Sequence, residues 1–270
     1  MEVKALKFGG LTAKRPIVQG GMGVGVSLSS LAGNVAKCGG IGTISGVHPG
    51  YREADFKENP FRANLRAIGN ELEKAKEIAN GGIIGFNFMT VMNHYEEYVK
   101  EAIAAGADFI VSGAGLPVNL AKYAAGTRAA ILPIVSSARA LKLIVKQWQR
   151  ADRLPDAVVV EGPLAGGHLG YPYGHLVDGT FDTLEDSLVD VVDYVRELEE
   201  KNGVIIPVIA GGGVRSHADM ERLMALGASG VQVGTKFVAT EECDAAPAFK
   251  QAYLRSRKED VQLIESPVGL

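Results

Sequence analysis

Cysteine is scarce in this sequence, and long apolar runs are absent. Only two cysteines occur among the 270 residues, Cys38 and Cys243, and they stand far apart, outside any metal-ligand spacing. A disulfide scaffold is therefore excluded, and we interpret both as reduced thiols with packing roles. No apolar run reaches the roughly 18 residues that span a bilayer, and the first residues lack the charged-then-apolar order of a signal peptide. We expect a cytoplasmic protein without a membrane partner.

An excess of charge of either sign is also missing. The net charge of −3 argues against a partner with a phosphate backbone, so a nucleic acid is not expected. No cluster of His, Cys, Asp and Glu has the spacing of metal ligands, and no metal is predicted. A hydrophobic content of 47% lets the chain bury a sizeable core. The partner that remains is a small-molecule substrate, and self-association into a homo-oligomer stays open.

Short apolar runs alternate regularly with helical stretches along the whole chain. The predicted strands are 16–19, 41–44, 83–87, 109–112, 131–135, 157–161, 205–210 and 230–234. The predicted helices are 28–37, 61–79, 95–105, 118–124, 138–151, 184–201, 217–226 and 245–255. No antiparallel hairpin is evident between the predicted strands. Two parallel strands must be joined by a crossover connection, which is usually a helix. We therefore predict a single α/β domain over residues 1–270, a (β/α)₈ TIM barrel, a fold that typically takes about 250 residues.

Two connections are longer than this architecture needs: 45–60 after the second strand and 162–183 after the sixth. Both leave the C-terminal ends of strands, where barrel enzymes keep their chemistry. The second contains four glycines in residues 161–170, which let the backbone approach a ligand, and His168 stands among them. Long structured loops in compact domains are usually functional, so the sequence predicts a site here.

Glycines also follow the seventh and eighth strands, at 211–213 and at Gly234. In barrels these two loops often bind phosphate, because glycine lets backbone N–H groups point at an anion. A tight strand-to-helix turn is the alternative, and Ser216 is predicted to cap the following helix. We expect valine at Gly212 or Gly234 to weaken binding of a phosphorylated ligand while the barrel still folds, since both positions lie at the rim.

The first strand ends in a glycine-rich segment, 19–25, that has neither the P-loop nor the dinucleotide-binding spacing. Glycines beside Met22 would let a flat aromatic ring lie against the main chain. Asn87 and Glu161, at the ends of the third and sixth strands, could fix the edge of a heterocycle. The alternative for each is an ordinary loop hydrogen bond.

With these motifs collected, the chain resembles the nitronate monooxygenase family, formerly called 2-nitropropane dioxygenases, which also includes FMN-dependent enoyl-ACP reductases. The motifs that carry the resemblance are 16–22, 85–88, 111–115, 161–170, 210–214 and 231–237. The resemblance implies a barrel that binds FMN without a covalent bond. The flavin contacts that it implies are Gly21, Met22, Asn87, Glu161, Gly166, Gly212, Gly213, Gln232, Val233, Gly234 and Thr235.

Three features depart from the nitronate-oxidising pattern. Many such members have Gln where this chain has Glu161, and Arg where it has Leu169. Both resemble the enoyl-reductase branch instead. Family members also usually continue beyond the position where this chain ends, at 266–270, into a segment that helps to cover the pocket. The sub-family therefore stays open.

His168 is the predicted catalytic acid or base, because histidine is the residue type that titrates closest to neutral pH. A structural histidine that pins a long loop is the alternative. His48, Ser136 and His175 are second choices that would line the substrate pocket. His94 and His217 begin helices and are expected at the surface.

We thus expect an FMN-dependent oxidoreductase, first as a nitronate monooxygenase that oxidises alkyl nitronates with O₂. The second expectation is an enoyl-ACP or quinone reductase that uses NAD(P)H. A barrel isomerase or aldolase that binds a phosphorylated metabolite is the alternative from another class.

Overall fold

Strands and helices alternate along residues 4–264, which are the residues that the computed structural model describes. The strands are β1 (Leu6–Phe8), β2 (Leu11–Ala13), β3 (Ile17–Gln19), β4 (Ile41–Ser45), β5 (Ile83–Met89), β6 (Phe109–Gly113), β7 (Ala130–Val135), β8 (Val158–Glu161), β9 (Val208–Gly211) and β10 (Gly230–Val233). The α-helices are α1 (Ser29–Lys37), α2 (Pro60–Ala79), α3 (Tyr95–Ala104), α4 (Leu120–Tyr123), α5 (Ala138–Trp148), α6 (Tyr173–Asp178), α7 (Leu184–Asn202), α8 (His217–Ala225), α9 (Thr235–Val238) and α10 (Pro247–Arg255).

Eight parallel strands close into a barrel in the order β10-β3-β4-β5-β6-β7-β8-β9. The predicted (β/α)₈ barrel is confirmed, and the strand bounds agree closely except at the seventh strand. That strand begins at Val208, whereas the apolar run predicted a start at Ile205. Ile205 is 85% exposed, and Pro207 has no N–H group to donate to a neighbouring strand. The apolar run is therefore longer than the strand.

The barrel strands are buried on both faces. Val159 packs inside the barrel with residues such as Phe109 and Ile209, while its neighbours Val158 and Val160 pack outward against the helices. Burial on both faces explains why these strands are continuous apolar runs without polar alternation.

An antiparallel hairpin precedes the barrel, so the expectation of no hairpin was wrong. Its strands β1 and β2 are joined by Gly9 and Gly10, whose φ angles of +52° and +79° suit a two-residue turn. Leu6 and Phe8 are buried with the barrel interior, and the Phe8 ring meets Phe109 edge-on with centroids 6.0 Å apart. Gly9 also lies against Ala130, at the start of β7. The hairpin therefore covers the N-terminal end of the barrel and leaves the C-terminal end for a site.

Other expectations have mixed outcomes. The connection after β8 contains the short helix α6, and β10 is followed at once by α9. Ser216 caps α8 as predicted, since its hydroxyl accepts the N–H of Asp219.

Cys243 is buried, but Cys38 is exposed, so a packing role holds only for Cys243. No helix within residues 4–264 is long and apolar enough to cross a bilayer. The chain end at 266–270 lies outside the described residues.

Candidate functional site

A carboxyl and an amide meet at the C-terminal end of the barrel. The strand register places Glu161, Gly211 and Gln232 side by side on β8, β9 and β10. Gln232 Nε2 donates to Glu161 Oε1 at 2.6 Å, over the intervening glycine. A Cβ on Gly211 would lie 3.2 Å from Gln232 Cβ and 3.3 Å from its Nε2, so even alanine would crowd the pair. The absence of a side chain at Gly211 lets the two polar groups meet.

The environment of Glu161 changes its acidity. Burial raises the pKa of its carboxyl to about 7, and the hydrogen bond from Gln232 lowers it, though by less. The residue is partly buried at the strand end. Glu161 can therefore exchange a proton close to neutral pH, which its position in the sequence did not reveal.

The glycine-rich segment after β3 forms the neighbouring part of the rim, because β3 pairs with β10. Gly21 lies against Asn87, and a Cβ at this position would overlap the asparagine side chain. The amide group of Asn87 makes no hydrogen bond to any described residue, and the residue is partly exposed at the mouth. A Cβ on Gly234 would be 3.4 Å from Met22 Sδ, so the segments after β3 and β10 are in contact. Thr235 follows, exposed, at the start of α9.

The glycines after β9 have left-handed backbone conformations and lie close to the loop after β8. Gly212 has a φ of +109°, and a Cβ would lie 3.0 Å from the backbone nitrogen of Ala165. Gly213 has a φ of +76°, with a Cβ site 3.2 Å from Leu164. Both residues therefore pack against the loop after β8. A left-handed backbone and a tight contact oppose any side chain at position 212, so valine there would strain this loop, while the expectation that the barrel still folds stays a prediction.

The loop that carries His168 bends back over neighbouring strands. Ser136, at the end of β7, donates its hydroxyl to the carbonyl of Gly170 at 2.8 Å. Tyr171 donates its hydroxyl to the carbonyl of Glu161 at 3.3 Å. A Cβ on Gly166 would meet nothing within 4 Å, so open space adjoins this part of the loop. His168 precedes these two anchored residues and is partly buried.

The other histidines lie elsewhere. His48 is exposed in the loop after β4; its ring meets Phe56 edge-on, and its Nδ1 lies 3.3 Å from the side-chain nitrogen of Asn64. His175 is exposed on α6. Neither forms a hydrogen bond with Glu161 or Gln232. His94 and His217 are exposed at the starts of α3 and α8, as expected.

Gln19 is a structural residue of the site that sequence reasoning missed. Its fully buried amide nitrogen donates to the carbonyl groups of Gly20 and Thr43, each at 2.9 Å, and to Ser27 Oγ at 2.8 Å. Its carbonyl oxygen accepts the N–H of Thr43 at 3.1 Å. The side chain thus joins β3 to β4 and fixes the start of the glycine-rich segment. A polar residue closing an apolar strand was the only available signal.

A groove of about 250 Å³ lies behind the glycines after β9. Leu164, Phe181 and Leu223 contribute apolar walls, and Arg222 at its edge pairs with Glu185. The groove lies between the loop after β8 and helices α7 and α8, and neither Glu161 nor Gln232 lines it. No group of three His, Cys, Asp or Glu residues within 4–264 could hold a metal ion.

Comparison with known proteins places this geometry in a family. A probable nitronate monooxygenase of Staphylococcus saprophyticus is 25% identical over an alignment of 283 residues. The match covers 96% of this chain and 75% of that protein. The (3aS,4S,5R,7aS)-5-hydroxy-7a-methyl-1-oxo-octahydro-1H-indene-4-carboxyl-CoA dehydrogenase of Rhodococcus jostii is 24% identical; the match covers 95% of this chain but only 61% of that protein.

Solved structures show the same fold. FabK from Thermotoga maritima has a TM-score of 0.69 and 26% identity, over 90% of this chain and 65% of that one. Nitroalkane oxidase from Streptomyces ansochromogenes has a TM-score of 0.63 and 23% identity, which shows a likeness of fold. The chain therefore spans about two thirds of the length of several relatives. A model of the family described as nitronate monooxygenase matches residues 4–269, and the protein accordingly belongs to the nitronate monooxygenase family of oxidoreductases.

Proposed function

We propose that the protein is an FMN-dependent nitronate monooxygenase that oxidises alkyl nitronates with O₂. The observation that carries the proposal is the Glu161–Gln232 pair at the barrel mouth, with glycine-rich segments on either side of it, in a chain that matches the family model almost throughout. The family match supports an oxidoreductase and gives no support to the isomerase or aldolase alternative.

The residues at the mouth fit a flat, phosphorylated cofactor. Gly234 has room beside it, since a Cβ there would make only an ordinary contact with Met22. Asn87 has an amide without a hydrogen-bond partner among the described residues, and the Glu161–Gln232 pair offers both a donor and an acceptor. These groups would hold the edge of a heterocyclic ring system.

The phosphate would lie on the backbone of the last two barrel connections. Gly212, Gly213 and Gly234 carry no side chain of their own that would keep an anion from their main-chain N–H groups, and Val233 and Thr235 continue this backbone around Gly234. Gly166 would approach from the loop after β8, where its Cβ position opens onto free space. When bound, FMN would take up the electrons of the oxidised carbon and pass them to O₂.

His168 would move the proton of the reaction. A neutral nitroalkane must lose its α-proton before it can be oxidised, and an imidazole is suited to accept that proton. An alkyl nitronate is already an anion and needs no base. Ser136 would position His168 indirectly through its hydrogen bond to Gly170, two residues further along the loop. His48 and His175 remain second-choice pocket residues, each exposed on a loop or helix that leaves the same end of the barrel.

A second candidate is an enoyl-ACP or quinone reductase that takes its electrons from NAD(P)H. Glu161 and Leu169 favour it, because both depart from the nitronate-oxidising pattern, and FabK has 26% identity over most of this chain. In enoyl reduction one carbon of the double bond takes a hydride, and a protonated His168 would donate a proton to the other carbon. The same groups would serve with the proton moving in the opposite direction.

The test begins with the purified protein, which should be yellow and should release intact FMN on denaturation. A colourless protein that gains no flavin absorbance after incubation with FMN would contradict the cofactor proposal. Wild type, His168→Ala and the matched control His217→Ala are then given nitroalkane, nitronate, or enoyl thioester with NAD(P)H. The control replaces an exposed histidine at the start of α8 that has no part in the proposed site.

We expect His168→Ala to lose about 10²- to 10⁴-fold in activity on nitroalkane, the usual range for loss of a general base, and much less on nitronate. Activity of His217→Ala should stay near that of wild type. Equal losses on both substrates would refute the base assignment. Enoyl turnover by wild type without nitronate turnover would favour the second candidate.

A further inference from the structure

Helix α1 has no cap of its own, and a distant carboxylate supplies one. Leu28 occupies the N-cap position, where its side chain cannot accept a hydrogen bond. The backbone N–H groups of Leu28 and Leu31 donate to Oδ2 of Asp244 at 2.8 and 3.1 Å, and that of Ser30 donates to Oδ1 at 3.2 Å. One carboxylate therefore holds three amides at the start of the helix.

The start of α1 is also the end of the glycine-rich segment that lines the site. Within this segment, the N–H of Ser27 donates to the carbonyl of Met22 at 2.9 Å, and the N–H of Met22 donates to Ser27 Oγ at 3.1 Å. The buried Gln19 amide donates to the same Ser27 hydroxyl. The segment is thus held from inside by Gln19 and from outside by Asp244, so the position of Met22 depends on both.

Asp244 belongs to the chain that follows α9, which adjoins this segment. Its own N–H donates to the carbonyl of Val26 at 3.2 Å, and Cys243 Sγ donates to the same carbonyl at 3.4 Å. Val238, at the end of α9, is buried in one cluster with Val26, Leu31 and Cys243. The chain that follows Gly234 is therefore bound side by side to the segment that carries Met22.

A third connection joins at the same residue. Arg52, in the loop after β4, donates Nη2 to the carbonyl of Asp244 at 2.7 Å and Nε to the Tyr51 hydroxyl at 2.7 Å. The Tyr51 hydroxyl in turn lies against Gly25, whose φ is +70°. The connections after β3, β4 and β10 thus converge on Asp244.

We propose that Asp244 is a positioning residue of the cofactor site, whose carboxylate sets the placement of residues 20–28 against the chain after Gly234. It acts through Met22 and the glycines around it, and it touches no ligand itself. The inference rests on the proposed FMN site. Helix capping alone is the competing role, and it predicts a loss of stability without a specific loss of cofactor affinity.

Glu71 provides a matched control for capping. Its carboxylate accepts the N–H of Ser29 at 2.9 Å, at the same helix end, but it comes from α2 and makes no bridge to α9. We compare Asp244→Ala, Asp244→Asn and Glu71→Ala. FMN affinity is measured by fluorescence titration, unfolding by circular dichroism, and opening of residues 20–31 by amide hydrogen exchange, with and without FMN.

We expect Asp244→Ala to bind FMN about tenfold more weakly than Glu71→Ala at equal loss of stability, the scale of one charged hydrogen bond. Asp244→Asn should recover part of this loss, since its carbonyl oxygen can still accept. Exchange at 20–31 should rise in Asp244→Ala more than in the control.

Equal FMN affinity in Asp244→Ala and Glu71→Ala would overturn the proposal, and so would unchanged exchange at 20–31. If wild type does not bind FMN, the proposed function fails instead. The exchange measurement without FMN then decides separately whether Asp244 places residues 20–31.

Discussion

Replacing Glu161 by glutamine should make the protein more stable, and the gain should depend on pH. Glutamine has the same shape, and its carbonyl oxygen can still accept the hydrogen bond from Gln232. It differs in that it cannot ionise. The carboxyl group of Glu161 titrates at about 7 in the folded chain against 4.5 as the reference value. The unfolded chain therefore releases this proton at lower pH than the folded chain does.

The expected size follows from that difference in pKa. Below pH 4.5 the carboxyl is protonated in both states, so it does not lower the free energy of unfolding. Between pH 4.5 and about 7 ionisation stabilises the unfolded state by about 1.4 kcal/mol per pH unit relative to the folded state. Above pH 7 the resulting loss in the free energy of unfolding is constant, at about 3 kcal/mol. Glu161→Gln removes it, so the gain over wild type should appear between pH 5 and 7 and persist at pH 8.

The assay is equilibrium urea unfolding of flavin-free protein, followed by circular dichroism at pH 4.5, 6, 7 and 8. Glu77→Gln, which changes an exposed glutamate on α2, is the matched control and should show no comparable gain. Thermal unfolding should report the same trend, with a midpoint shift on the order of 5 °C at pH 8. A stability difference between Glu161→Gln and wild type that stays constant from pH 4.5 to pH 8 would refute the reasoning.

Two further substitutions test the glycines at the rim. Gly21→Ala should lower both stability and FMN affinity, because the new Cβ would overlap the Asn87 side chain; FMN titration and urea unfolding measure the two effects, and wild-type behaviour would argue against this contact. Gly234→Ala should be tolerated, since its Cβ would lie 3.4 Å from a methionine sulfur, whereas Gly234→Val should weaken FMN binding about tenfold with little change in unfolding. Equal affinity in both Gly234 variants and wild type would place the phosphate elsewhere.

Several features of the fold could be predicted from local sequence patterns. A parallel strand buried on both faces is a continuous apolar run, and eight such runs separated by helices are what a closed barrel needs. Glycine clusters at strand ends then indicated the face that carries the site. The cap of helix α8 could also be predicted from the sequence, because Ser216 and its partner Asp219 are only three residues apart. The N-terminal hairpin was not predicted, because three-residue strands are too short to show an alternation of apolar and polar residues, although Gly9 and Gly10 indicate a turn.

Tertiary structure alone decided the chemistry of the site. Glu161 and Gln232 are 71 residues apart and meet only because closure of the barrel places Gly211 between them. The raised pKa of Glu161 follows from burial, which depends on the surrounding strands and not on neighbouring sequence. Asp244 caps a helix that lies 216 residues earlier in the chain, so no spacing rule could connect them. Sequence patterns carry local periodicity and turn preference, whereas contacts across the barrel mouth exist only once the chain has closed on itself.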